Sequence, residues 1–552
     1  MRAFCLSMPR AVFAVLSFTL LACLPNASAH EDDAAPYTGK EKLGKVTFSV
    51  SCNAEAQTEF NRGMALFHSF WFEPAIKSFR NVLAHDPSCG MAQWGMAFMA
   101  IGNPFAWPAN AKAMTAGANA IADAERTGAK SERERAYIVA LAGFFRDWET
   151  VPHRTRAVAL QKAMEALAAR YPDDDEAQIL HALMLDATAL PTDKTFANQL
   201  RAAAILEPMF RKHPEHPGVA HYLIHSYDYA ELAEKGLPSA RIYADLAPSV
   251  PHALHMPSHI YSRVGLWHDM VEGNRRSYQA AKAELADQTL GIGAYDALHA
   301  MDYMVFGELQ QAREQAAAKI VQETAGIQKV NVENFPAAYA FAAIPSRFAL
   351  ERRDWKAAAK LKLSPANLAW EKFPQAEAIL VFSRALGAAR MGDIAAARRD
   401  QQRLEELKAA MQAAKVAYWP SQAEFQIKTI AAWTALAEGR TDEALMQMRE
   451  AADLEEASDK HPVTPGNVVT SRQLLAEMLM EAGKPADALL EFRRSLSRDP
   501  NRYHTIAGAA RAAMAIGDKA AAQKYFDQLL SVAADADTRR TELAEAAMQP
   551  RK

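Results

Sequence analysis

Cysteine is scarce: the 552-residue chain holds four, at Cys5, Cys23, Cys52 and Cys89. No CxxC, CxxCH, GxSxG, GxGxxG or phosphate-cradling GxxxxGK[ST] occurs, and without HExxH a zinc-peptidase helix is excluded. An excess of charge of one sign is missing too. Lys and Arg total 62 against 65 Asp and Glu, a net charge of −3, which argues against nucleic acid as a partner. Beyond the N-terminus no stretch supplies the roughly 20 uninterrupted apolar residues of a bilayer span, and strand signals are nearly absent.

What is present begins with an export signal. Arg2 and Arg10 precede the apolar run AVFAVLSFTLLACL, and Ala27-Ser28-Ala29 supplies small residues for cleavage ahead of an acidic stretch. Residues 1–29 are thus expected to be removed, leaving a periplasmic or secreted chain of net charge −5, since two arginines go with the signal. A second reading cuts at Leu20-Leu21-Ala22-Cys23 and leaves a lipid anchor on Cys23. Cys52 and Cys89 remain in a compartment that favours oxidation. Paired, they would contribute about 3–4 kcal/mol in the chain-entropy picture; the alternative is two buried free thiols.

From residue 51 onward Ala, Leu, Glu, Arg and Met dominate, and apolar residues recur at three and four, which reads as helix after helix. The length exceeds what one core organises, so several domains or a repeat array are expected. In residues 60–87 Gly63 is a close-packing position, Ala75 and Phe79 a second-helix pair and Pro87 a terminator. Ala488, Phe492 and Pro500 repeat these offsets, Ala522 and Phe526 repeat the pair 34 residues later, and Gly439, Ala444 and Ala451 form a weaker copy. This pattern resembles the tetratricopeptide-repeat family, strongly at both ends of residues 51–535 and loosely between. The resemblance implies an all-α superhelical solenoid of antiparallel helix pairs, of which a generic helical bundle is the plainer alternative.

Insertions at 191–195, 284–293 and 456–467 interrupt the period. The expected organisation is an extended segment over 30–50, an N-terminal array over 51–310, a hinge over 311–332, a C-terminal array over 333–535 and a tail over 536–552. In such a stack Cys52 and Cys89 stand at the starts of successive first helices, where a disulfide would staple the end of the array.

Residues 217–227 read PGVAHYLIHSY and residues 251–261 read PHALHMPSHIY, so Pro, His, His and Tyr recur at a spacing of 34. First helices of neighbouring repeats lie about 10 Å apart. His221 and His225, one turn apart, are therefore expected to meet His255 and His259 across or along a concave groove. Of 16 histidines, His213, His216, His221, His225, His252, His255 and His259 crowd into 47 residues, where an even spread gives about 1.4. His68, His181 and His299 add imidazoles on other first helices, the last on a stripe with Asp296 and Tyr303.

Three accounts compete for this cluster. The histidines could shape a groove for a protein or peptide ligand, which makes the chain a binding or scaffolding module. They could bind a transition metal, Zn, Cu or Fe, through His221, His225, His255 and His259. They could serve as a metal-free acid/base site, so whether the chain is an enzyme stays open. Asp228, Asp302, Tyr227 and Tyr261, with His181, His252 and His299, are the expected groove or supporting residues. Pro257 either kinks the helix between His255 and His259 or ends one helix and starts another, which would spoil their pairing. Over its full length the chain resembles exported bacterial tetratricopeptide proteins with an HMPSHIY-like stretch, here His255–Tyr261, a likeness that implies fold and compartment and no activity.

Overall fold

The computed structural model describes residues 40–285, 292–416 and 418–549. The export signal, Cys23, residues 30–39, most of the 284–293 insertion and residues 550–552 of the tail lie outside the described residues.

The chain is all-α, a solenoid of antiparallel helix pairs. The pairing starts with Ala54–His68 and Phe72–His85 and runs to Tyr503–Ala515 and Lys519–Val532, with Thr541–Ala547 covering the end. Side chains of Asn53, Asp174, Asn334, Asp393 and Asp518 accept hydrogen bonds at helix N-termini, and Ser131 with Glu134 completes a capping box. The only described strands are two-residue pieces, Ile292–Gly293 and Lys329–Val330, paired in parallel.

First and second helices differ in burial as the repeat requires. Every residue of Pro217–Tyr227, a first helix, is buried. The second helix Ile394–Ala413 buries only Ala397, Leu404, Leu407 and Met411. A helix apolar all round sits between neighbours, and an amphipathic one faces water. The landmark residues pack as the repeat pattern demands: Ala75, Phe79 and Ala488 are fully buried and Phe492 nearly so. A methyl added at Gly63 would lie 2.9 Å from the Phe79 ring, so only glycine permits that approach.

Cys52 and Cys89 form a disulfide with Cα atoms 5.4 Å apart, tying the first two repeats together. The extended segment ahead of them lies along the array: the Lys45 N–H donates to the Glu215 carbonyl at 2.9 Å, and Phe48 is fully buried. One apolar core runs from Leu43 to Ile260 and a second from Leu298 to Ala546. The 311–332 segment contains the helix Glu314–Gly326. No described helix is long and apolar enough to cross a membrane.

The superhelix brings distant segments together. Trp267 donates to the Asn501 carbonyl at 2.8 Å, and Tyr503 N–H donates to Gln310 at 3.0 Å. The 456–467 insertion leaves the C-terminal repeats and reaches the N-terminal array, where Lys460 donates to Asp228 at 2.8 Å and Lys194 pairs with Asp459. Its far end is held by Arg347, fully buried, which donates to the Gly466 carbonyl at 2.8 Å.

Candidate metal centre

The histidines are not spread along an open groove. His221, His225, His255 and His259 are between 0% and 8% exposed and gather with His252 and His299 into two triads inside the helix layers. His221, His225 and His252 form one; His255, His259 and His299 form the other. Within each, the candidate ligand atoms all lie within 4.8 Å of one another. The triads adjoin, with the His225 and His259 rings 6.2 Å apart and those of His252 and His255 6.3 Å apart.

Local sequence explains how they meet. The helix Pro217–Tyr227 approaches Ala54–His68 so closely at Gly218 that a methyl there would stand 2.5 Å from His68 Nδ1. That approach puts the His68 carbonyl 2.7 Å from His221 Nδ1. At Pro257 the helix divides into Pro251–His255 and Pro257–Val264, yet Met256 keeps right-handed helical angles (φ −54°, ψ −36°). His255 and His259 therefore remain one turn apart on a common face, and their Nε2 atoms are 3.1 Å apart. The division that would have spoiled the pairing does not, because the proline costs a hydrogen bond and not the helical path.

For His221, His255 and His259, protonation follows from the partner of Nδ1. His259 Nδ1 is 3.0 Å from Asp228 Oδ2, an acceptor. His255 Nδ1 is 2.7 Å from Asn274 Oδ1, and the amide is oriented by its NH2, which donates to Ser258 Oγ and to the Met270 carbonyl at 2.7 Å each. Both rings are thus Nδ1–H tautomers when neutral, and two Nε2 lone pairs face each other at 3.1 Å. His221, whose Nδ1–H meets a carbonyl, likewise aims a lone pair at His225 Nε2, 3.1 Å away, and His252 Nε2, 3.2 Å away. Facing lone pairs repel unless a cation sits between them. A proton is disfavoured: burial first, then neighbouring imidazoles, hold His221, His225, His252 and His255 well below the usual histidine range. Burial and the nearby histidines push His299 down to about 3. Two nitrogens bound to one tetrahedral zinc-sized ion stand about 3.3 Å apart, close to the 3.1 Å between His255 and His259 and the 3.1 and 3.2 Å from His221 to His225 and His252.

Aromatic rings wall the centre. Phe105 stacks on His225 at 3.7 Å, Phe70 lies 4.5 Å from His221, and Tyr303 stands edge-on to His255 at 4.6 Å. Behind His259, Asp228 accepts from Arg263 at 2.9 Å and Lys460 at 2.8 Å. Burial alone would raise the Asp228 carboxyl; Lys460 and Arg263 keep it well below the carboxylate range.

A third group, His68, Glu176 and His216, is a different kind of object. Glu176 accepts from His68 Nε2 at 3.0 Å and His216 Nε2 at 2.9 Å, His68 Nδ1 accepts from the Tyr222 hydroxyl at 2.9 Å, and His216 Nδ1 accepts from Val219 N–H at 3.3 Å. Every ring nitrogen is engaged, so neither imidazole of this network has a lone pair free for an ion.

Of the expected supporting residues, Asp228, His252 and His299 join the centre. Asp302 does not: Arg347 Nε donates to it at 2.7 Å, and the ion pair occupies the carboxylate. The Tyr227 hydroxyl turns outward to Glu207 at 2.7 Å, one helical step off the ligand face. Tyr261 is half-buried against the cluster of Trp267, Met270, Tyr303 and Phe306, and His181 faces the Glu165 and Arg201 side of its repeat. Asn274 and the His68 carbonyl carry no sequence signal, since one asparagine in an amphipathic helix and one backbone oxygen look like any other. Lys460 stands in a conspicuous loop, but its position depends on a contact across 232 residues.

Residues 479–545, which hold Ala488, Phe492, Ala522 and Phe526, match the family model described as tetratricopeptide repeat. No curated protein matches. Among solved structures, the human IFIT1 dimer with PPP-AAAA is 13% identical with a TM-score of 0.35, covering 88% of this chain and 96% of that one. The APC/C hetero-tetramer Cut9–Hcn1 is 12% identical with a TM-score of 0.32, covering 83% and 76%. At these identities and scores the likeness bears on neither ligand nor partner.

Proposed function

We propose that this protein binds a pair of transition-metal ions, one in each histidine triad, drawn from Zn, Cu and Fe. The observation that carries the reading is the pair of Nε2 atoms of His255 and His259, 3.1 Å apart, each on a ring whose Nδ1–H is already committed to an acceptor. Imidazole suits these ions, and the backing of ligand rings by carboxylate, amide and carbonyl oxygens is how metal-bound histidines are usually held. The four histidines of the doubled motif supply two ligands to each site, and His252 and His299 supply the third.

Metal analysis of the purified, untagged protein after repletion tests this. Two ions per chain are expected, falling to one in a His255→Ala, His259→Ala double variant. Absence of stoichiometric metal under repletion overturns the reading.

A protein- or peptide-binding role for the C-terminal repeats stands beside it, favoured by the family match over residues 479–545. Peptides that co-purify with a truncation-free chain and are released by changes in those repeats would support it. Export through residues 1–29 to the periplasm or beyond completes the proposal; fractionation of expressing cells decides it.

A further inference from the structure

We infer that a small anion completes the metal pair and that Lys460 sets how tightly it is held. The inference rests on the metal reading above and extends it to what the ions bind. All six ligands are neutral imidazoles, so two divalent ions bring four positive charges into a buried site with no charge from their own ligands. Among the described residues, the carboxylate hydrogen-bonded to a triad histidine is Asp228, and it is already shared by Arg263 and Lys460. Three protein ligands also leave coordination positions open, as transition metals take four or more. An anion with an oxygen or nitrogen donor answers both demands.

The surroundings show where it would be recognised. The Lys460 ammonium is 6% exposed and has three N–H donors, of which one meets Asp228 at 2.8 Å. It shares Asp228 Oδ2 with His259 Nδ1, so its charge stands behind the His259 ring and acts on the second triad through that imidazole. Tyr303 adds a second donor: its ring lies 4.6, 5.6 and 5.4 Å from the rings of His255, His259 and His299, and its buried hydroxyl has no hydrogen-bond partner among the described residues. A buried hydroxyl without an acceptor is costly, and a bound anion supplies one.

The test uses the full chain loaded with copper(II), with azide as the anion and its charge-transfer absorption as the readout. Wild-type protein should bind azide. Lys460→Gln, which keeps a donor facing Asp228 and loses the charge, should bind it at least tenfold more weakly at unchanged copper content, while Lys460→Arg should stay within about threefold of wild type. Copper-loaded wild-type protein that gives no azide band overturns the inference and leaves the metal reading intact. Equal azide affinity in wild type and Lys460→Gln also overturns it. If the glutamine variant fails to hold copper, Tyr303→Phe takes its place, with weaker azide binding expected and unchanged binding counting against the inference. A chain that takes up no copper refutes the metal reading itself.

Discussion

Asn274 offers the sharpest perturbation of the proposed centre, because it lies outside the proposed ligand set and yet fixes the ring of one member. Its Oδ1 accepts from His255 Nδ1 at 2.7 Å, and its NH2 donates to Ser258 and Met270 at 2.7 Å each. In Asn274→Leu the His255 Nδ1–H loses its acceptor in a site where the ring is 2% exposed. An unmade buried hydrogen bond costs about 1–3 kcal/mol, which the ring can escape by moving its proton to Nε2. That tautomer points a hydrogen at His259 and removes the lone pair the ion needs. Loss of a partner behind a ligand lowers metal affinity about 10–100-fold, or about 1.4–2.7 kcal/mol. His221 is anchored by a backbone carbonyl instead, so the other triad should be untouched. Competition against a chromogenic chelator should therefore resolve one weakened and one unchanged site, and Asn274→Asp, which keeps an acceptor there, should restore most of the loss. Two sites of wild-type affinity in Asn274→Leu would refute the tautomer argument.

Further predictions concern the scaffold around the centre. Gly218→Ala places a methyl 2.5 Å from His68 Nδ1, so it should displace the helix that carries His221 and His225 and weaken the first triad before the second, read in the same competition assay. Arg347 and Asp302 are 0% and 1% exposed; Arg347→Met leaves a buried carboxylate alone and should lower stability by about 3–5 kcal/mol in denaturant titration, with Asp302→Leu added to it recovering much of the loss. His461, outside both triads, is pushed down to about 3 by burial and then by Lys460. The unfolded chain takes up a proton there below about 6.5 and the folded chain does not until about 3. Stability should accordingly fall as pH drops through that window, and His461→Phe should flatten the fall by up to about 1.4 kcal/mol per pH unit.

How much of this was legible in sequence depends on the distance over which each contact acts. The 34-residue offsets of Gly63, Ala75 and Phe79 and of their later copies express packing between neighbouring helices, so the solenoid could be read directly. The same periodicity put His221 and His225 beside His255 and His259. It did not show that these positions would be buried, because their cover comes from segments outside the two helices: Phe70 on His221, Phe105 on His225, and Lys460 from the 456–467 insertion on Asp228. It also overstated the breaking power of Pro257, whose neighbours hold Met256 helical. Asp302 and Tyr227 shared the expected helices and faces approximately, but each found a nearer partner, Arg347 and Glu207. The oxygens that fix the tautomers came from an asparagine and a backbone carbonyl that no pattern marks.

The most direct test of the central claim is anomalous diffraction from crystals of the metal-repleted protein. A peak between His255 Nε2 and His259 Nε2, about 2.0–2.1 Å from each nitrogen, with a second among His221, His225 and His252, is the predicted result. Empty anomalous maps, with the two Nε2 atoms drawn apart or one ring turned to place a hydrogen between them, would contradict it.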